Sequence, residues 1–252
     1  MSQPDSSSKP LLTYLNLSDE YERKTRFIPA LLTISAFLPV AIALSLPYQA
    51  WLASLFAGVG MAAAFAVAIS HVASAMGNRL QRQLWPRWPY DAPTNQWLHP
   101  ADTSRSSQQK QLWYAAIHRL TELRIAELSD DDPQVDAIIN DAVVQVRTRL
   151  WKSEHADRLR VHNADFGYAR NLTGLRSIWI FGLVVSLVVC SVKAYRGELH
   201  IAWTVACTML LLPAVAFAYL VLPNYVRQKA DQYAESFFDS MAKLDTAQRS
   251  AG

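Results

Sequence analysis

Charge is scarce in this chain. Asp, Glu, Lys and Arg make up 18% of its 252 residues, and the 24 basic side chains exceed the 21 acidic ones by only three. So few charges exclude an acidic or basic disordered chain, and a net charge of +3 is too small to argue for a nucleic-acid partner. Cysteine is scarcer still. Cys190 and Cys207 both sit inside apolar blocks, which excludes a disulfide scaffold and a cysteine-based zinc site. The sequence also lacks a P-loop, a Gly-rich dinucleotide turn and a Gly-x-Ser-x-Gly elbow. Asp130 to Asp132 do not alternate as calcium ligands do. His155 and His162 stand two helical turns apart, with Glu154, Asp157 and Asp165 nearby but no cysteine to join them. The expectation is therefore a protein without enzymatic activity, resident metal or cofactor.

What is present is apolar sequence in long blocks: 51% of the residues are hydrophobic. Phe27–Leu46, Trp51–Met76 and Ile201–Leu222 contain no charge, and Ser177–Ala194 has only Lys193 at its end. A helix crosses the hydrocarbon core in about 20 residues, so all four blocks qualify as spans by length. Four such segments would leave a soluble protein little polar surface. The first block follows Asp19, Glu20 and Glu22 and is too long for a signal-peptide core. Only Pro47 to Ala50 separate it from the second, which reads as a tight hairpin between two spans. The expected fold class is all-α: four transmembrane helices in two hairpins with a cytoplasmic helical insertion. The divisions are a tail at 1–26, hairpin 1 at 27–76, the insertion at 77–176, hairpin 2 at 177–222 and a C-terminal helix and tail at 223–252.

Every basic residue except Lys193 and Arg196 falls in the two tails or the insertion. The positive-inside rule then places those segments in the cytoplasm. Trp51, Trp179, Trp203, Tyr48, Tyr195 and Tyr225 lie near span ends, as interfacial aromatics do. No carboxylate lies in a span, which argues against an ion-coupled carrier. His71 is the one ionisable group well inside a span, and reads as a neutral side chain bonded to a neighbouring helix or as a gating group. Gly58, Ala62 and Ala66, and likewise Gly60, Ala64 and Ala68, recur at spacing four. Small residues so spaced let helices approach closely, within one chain or between copies in a homo-oligomer. Pro39 and Pro213 interrupt the first and fourth spans and can bend them.

In the insertion, Arg79 to Pro100 is rich in Trp and Pro and reads as a fixed extended loop, with Trp85, Trp88 and Trp97 in the interface or capping the insertion. Ser106 to Leu128 reads as a helix with Ser104 or Ser106 as its cap and Leu112, Ala116, Leu120 and Leu123 as its apolar stripe. Ser129 to Pro133 ends it and caps a second helix with the stripe Val135, Ile138, Ile139, Ala142, Val146 and Leu150. Two helices make a thin core, to be completed by membrane-proximal segments, by the helix from Val226 to Leu244, or by other subunits.

Residues 163–176 read NADFGYARNLTGLR. Gly167 and Gly174 suit a hinge at the start of the third span, Asn171 a cap for that span, and Arg170 and Arg176 the headgroup level. A sharper reading joins Arg158, Arg160, Arg170 and Asn171 into an anion pocket for a phosphate-bearing ligand. The segment resembles a group of bacterial membrane proteins whose insertion ends in Asn-x-x-Tyr-Gly-Phe-x-Arg-Asn-Leu-x-Gly-Leu-Lys. Asn163, Phe166, Gly167, Tyr168, Arg170, Asn171, Leu172, Gly174, Leu175 and Arg176 are the matching positions, with Phe and Tyr exchanged around Gly167 and Arg176 in place of lysine. Trp88, Pro93, Thr94 and Leu98 are similar to the group's Trp-rich start of the insertion. The resemblance implies two spans, an insertion and two further spans. That plan is similar in outline to membrane-disrupting effectors of anti-phage systems, an analogy of architecture alone. The functional expectation is a membrane effector, sensor or pore gated through the insertion. Its partners would be the bilayer, copies of itself, and a cytoplasmic protein or phosphate-bearing ligand. A scaffold that recruits a soluble partner, a small channel or transporter, and more remotely an enzyme acting on lipid are the rivals.

Overall fold

The computed structural model describes residues 20–44 and 59–251. Among them every regular element is helical. In chain order these are α1 (Glu20–Ala43), α2 (Val59–Leu84), α3 (Pro93–Gln96), α4 (Ser107–Thr121), α5 (Val135–Trp151), α6 (Asp157–Gly174), α7 (Arg176–Tyr195), α8 (Ala202–Ala216) and α9 (Leu222–Ala251). A π turn, Phe217–Val221, joins α8 to α9, so the helix of the fourth apolar block runs on without a break through the C-terminal segment.

Three helical runs are long and apolar enough to cross a membrane: α1, α7 and Ala202–Ser250. Only 28%, 22% and 17% of their most apolar windows is buried within the protein. Phe181, Val188, Met209, Leu212 and Leu220 point outward. So much uncovered apolar surface marks a membrane protein. The second expected span, Trp51–Met76, begins outside the described residues, and its described part is the first two-thirds of α2. Gly58 also lies outside them, as do the side chains at Gly60, Ala62, Ala64 and Ala66; Ala68 is exposed.

The chain forms two compact units. The first contains the described residues up to Arg79 together with Gly167–Pro223. Here α1 breaks at Ala36 and Phe37, just before Pro39, which has no N–H to continue the ladder. The Ser186 hydroxyl of α7 donates to the Ala36 carbonyl at 3.0 Å. The Phe37 ring fills the notch left by Gly182, where a Cβ would sit 2.6 Å from Cε2. The α7–α8 hairpin turns through Gly197 at φ +69°, and Lys193 pairs with Glu198 beside it. Trp179, expected near a span end, is turned into the protein. It is buried against Leu183 and lines an apolar cavity of about 420 Å³.

The second unit holds Leu80–Phe166 and Asn224–Gly252, so the C-terminal helix completes the core of the insertion. Ile117 and Leu120 of α4, Ile139, Val146 and Leu150 of α5, and Phe237 and Met241 of α9 are all essentially inaccessible. Trp113 stacks on Phe238 at 3.9 Å between ring centres, Trp97 lies 5.9 Å from the same ring, and Arg105 covers Trp97 at 3.8 Å. The Trp-rich stretch is thus not extended. The α2 helix continues to Leu84, turns follow, and Pro93 sits in the first turn of α3, the helix position where a missing N–H costs nothing. Trp85 and Trp97 are buried, the capping role, whereas Trp88 stays 39% exposed.

Ser106 caps α4 by accepting from the Gln109 amide at 3.2 Å. This helix stops at Thr121 rather than Leu128 because Glu122 takes a left-handed conformation, φ 66°. Its buried face includes Ala116, Ile117 and Leu120; Leu112 is 61% exposed. Asp132 does not cap α5. It closes the turn before it, accepting from the Gln134 amide at 2.8 Å. The α5 helix ends at Trp151, and α6 starts afresh at Asp157.

Two ionic features set the unit's response to acid. Asp245 is buried and receives both Arg119 Nε and Nη2 at 2.7 Å, which holds its carboxyl below the ordinary carboxylate value. Burial, with Arg158 adding to it, pushes His162 below the ordinary imidazole value, and Asp165, Lys229 and Glu235 also face it. A depressed histidine favours the neutral form in the folded state. Unfolding then binds extra protons once the pH falls below about 6.5. Thermal unfolding of the full chain in detergent, followed by tryptophan fluorescence, should show a midpoint that falls from pH 8 to pH 5.5. His162→Gln should flatten that fall; an unchanged slope contradicts the assignment. Arg119→Ala should cost about 2 kcal/mol at neutral pH, through lost charge-assisted bonds to a buried carboxylate.

Candidate functional site: a polar crossing of three helices

Gly167, Asn171 and Gly174 recur at helical spacing on one face of α6, with Arg170 beside them. That face meets α1 and α2. A Cβ at Gly174 would lie 2.7 Å from the Gly77 amide nitrogen and from the Met76 carbonyl group. A Cβ at Gly167 would lie 2.9 Å from Thr25 Cγ2, and one at Gly77 only 2.0 Å from Asn171 Oδ1. Backbones touch here because side chains are missing.

The close approach lets Asn171, fully buried, donate from Nδ2 to the Thr25 carbonyl at 2.8 Å. Thr25 belongs to the π turn Arg23–Phe27 of α1. Asn171 Oδ1 in turn accepts from Arg170 Nε at 3.3 Å. Burial pushes the Arg170 guanidinium below its ordinary value, with Tyr21 opposing the shift and Arg26 adding to it. Arg26 itself pairs with Glu22 at 2.9 Å. Thr25 is 1% exposed, and its hydroxyl has no hydrogen-bond partner among the described residues. Arg176, at the head of α7, lies over the Tyr219 ring at 5.2 Å. A guanidinium held partly out of water and bonded to a buried amide is chemically suited to an oxyanion.

Gly167 and Gly174, expected as a hinge, are tightly packed here. Both are helical, neither has positive φ, and only Leu175 separates α6 from α7, with backbone bonds carried across through Leu175 N to the Asn171 carbonyl at 3.1 Å. Their role is close packing. Asn171 does not cap α7; Leu175 stands at that position without a side-chain cap, and Asn171 is committed to α1. Arg158 and Arg160 belong to the second unit and have other partners. Arg158 pairs with Asp239 at 3.1 Å, and Arg160 with Asp157 at 3.3 Å and the Trp151 carbonyl at 3.1 Å. Of the four residues read as one pocket, Arg170 and Asn171 are brought together.

The second unit also contains a cavity of about 750 Å³, lined among others by Trp85, Arg87, Asp91, His99 and Asp136. Arg87 bridges Asp91 at 2.9 Å and Asp136 at 3.1 Å, and His99 lies 3.4 Å from Asp130. The buried Lys110 ammonium donates to the His99 carbonyl at 2.6 Å and to the Asp102 carbonyl, pinning this rim; burial lowers its proton affinity. Nothing in local spacing joins residues so far apart in sequence. Among the described residues no cluster of His, Cys, Asp or Glu could hold a metal ion.

Substitution tests the crossing directly. Gly174→Ala should lower stability by about 1–3 kcal/mol, since the obstacle is backbone and cannot swing aside. Gly77→Ala should also destabilise, but the obstacle there is the Asn171 side chain. The double variant Gly77→Ala/Asn171→Ala should therefore cost less than the sum of the singles; simple additivity in detergent unfolding would contradict the contact. No family model, no curated protein and no solved structure matches this chain.

Proposed function

We propose that the chain is a non-enzymatic inner-membrane effector, sensor or pore of a bacterial stress or anti-phage system, gated through its cytoplasmic insertion. The observation that carries the reading is the crossing at Arg170 and Asn171, a charged and polar contact between helices in a protein with three helices fit to span a bilayer. In this reading the spans number four, Phe27–Leu46, Trp51–Met76, Ser177–Ala194 and Ile201–Leu222, and both tails and residues 77–176 face the cytoplasm. The distribution of Lys and Arg supports the orientation. The pairing of Lys193 with Glu198 supports it further, because a basic residue on the far side is neutralised. The likeness of residues 163–176 to the bacterial four-helix group supports the plan of the spans, and by analogy the effector role.

Gating then has a physical form. The α6 helix is tied to α1 by Asn171, whose oxygen is engaged by Arg170. A phosphate-bearing ligand or an acidic segment of a cytoplasmic protein binds Arg170 and through it pulls on Asn171, so that without the guanidinium the signal has nothing to act on. It shifts the spans in proportion to its preference for the released state. Assembly into a homo-oligomer, through the small-residue stripe of the second span, supplies the copies that a pore requires.

A scaffold role is the second reading, favoured by the charged cavity bordered by Arg87, Asp91 and Asp136, which offers a polar surface to a soluble partner. A small channel or transporter is less favoured because the spans hold no carboxylate. Membrane potential in living bacteria, read with a fluorescent reporter after induction to equal membrane levels, tests the first reading. Wild-type protein should depolarise the cells and Arg170→Ala should not. Depolarisation by both removes Arg170 from the gate; depolarisation by neither overturns the pore and leaves the scaffold.

A further inference from the structure

Cys190 of α7 and Cys207 of α8 are both buried, at 0% and 1% exposure, and their sulfurs stand 3.9 Å apart. Cys190 is also 3.9 Å from the Pro39 carbonyl, in the part of α1 that follows the break. The thiols form a relay: Cys207 S–H donates to the Cys190 sulfur, and Cys190 S–H donates to the Pro39 oxygen. Ala43 packs against the pair, and Leu187 and Leu199 close around it. The hairpin turn at Gly197, with the Lys193–Glu198 ion pair, fixes the register that brings the cysteines level.

We infer that Cys190 and Cys207 are a dithiol that closes to an intramolecular disulfide under peroxide, stapling α7 to α8. The sulfurs need to approach from 3.9 Å to about 2.05 Å, a small movement for two side chains on adjacent helices. The chemistry balances with hydrogen peroxide as oxidant. One thiolate attacks a peroxide oxygen, the O–O bond breaks, a sulfenic acid forms, and the departing hydroxide takes up the thiol's proton as water. The second thiol attacks the sulfenic sulfur; the S–S bond forms, the S–O bond breaks, and a second water leaves. The sulfurs lose two electrons and the peroxide gains them. Closure removes both S–H donors, so the Pro39 carbonyl loses the Cys190 contact while α7 and α8 become covalently joined. The inference rests on the hairpin alone and is independent of the effector reading and of which side of the membrane the hairpin faces.

The test uses the full chain in detergent micelles. It is exposed to hydrogen peroxide, denatured without reductant, treated with a maleimide and weighed intact. The expected result is a monomer lighter by two hydrogens that takes up no maleimide, with a fragment joining residues 190 and 207 that dithiothreitol separates. The untreated protein should take up two maleimides. Cys190→Ser and Cys207→Ser should each retain one reactive thiol after peroxide and form no link. Two maleimides on the peroxide-treated wild type, oxygen adducts without a link, or covalent dimers would each overturn the inference.

Discussion

A hydrogen-bonding group freed inside an apolar helix bundle has no water to turn to, and the first unit is organised around that constraint. At two places where α1 leaves regular geometry, a side chain from a neighbouring helix appears. The α1 helix breaks before Pro39, and Ser186 reaches the Ala36 carbonyl. It widens into a π turn at Arg23–Phe27, and Asn171 reaches the Thr25 carbonyl. Both donors sit where a glycine removes bulk, Gly182 beside Phe37 and Gly167 and Gly174 on the face of Asn171. The irregularities, the small residues and the polar side chains are three parts of one solution. Remove the small residue and the donor cannot come close enough; remove the donor and a carbonyl is left unsatisfied, at a cost of about 1–3 kcal/mol.

The all-helical class and the apolar runs were legible because span length and helical periodicity are local properties. Val135, Ile139, Ala142, Val146 and Leu150 announce their buried face in sequence, and it is buried. Local chemistry failed where a tertiary contact decided the outcome. Leu112 continues the stripe of α4 but faces solvent, while Trp113, one residue on, turns inward to stack on Phe238. The two prolines at Trp85–Pro86 and Trp88–Pro89 suggested extended backbone, but the tryptophans between and before them fold the segment into turns against a core that sequence spacing cannot reveal.

The candidate site was half legible. Arg170 and Asn171 stand out by their setting, and they meet. Arg158 and Arg160 were grouped with them because they are nearby basic residues, whereas Asp239 on α9 claims Arg158 and Asp157, one turn back on α6 itself, claims Arg160. Their partners in the crossing, Thr25 and Gly77, carry no local signal: neither belongs to a recognisable spacing, and they are remote in sequence from α6. The cavity rim is the same case, since Arg87, His99 and Asp136 converge only through the packing of α3 against α5.

The glycines of α6 show two uses of a missing side chain that sequence alone does not separate. Glycine at a helix boundary suggests freedom of the backbone, and a segment just ahead of a span invites the idea of a hinge. Yet freedom and close contact are opposite uses of a missing side chain. A hinge glycine needs φ values other residues avoid, and space around it. Gly174 has a helical backbone and a neighbour's backbone within 2.7 Å of where a Cβ would be. Such a position resists motion rather than permitting it, because any displacement of α6 along α2 drives main-chain atoms into one another. Movement at this crossing therefore has to take the form of separation, with the Asn171 bond broken and the glycine face exposed, rather than bending about a loose joint.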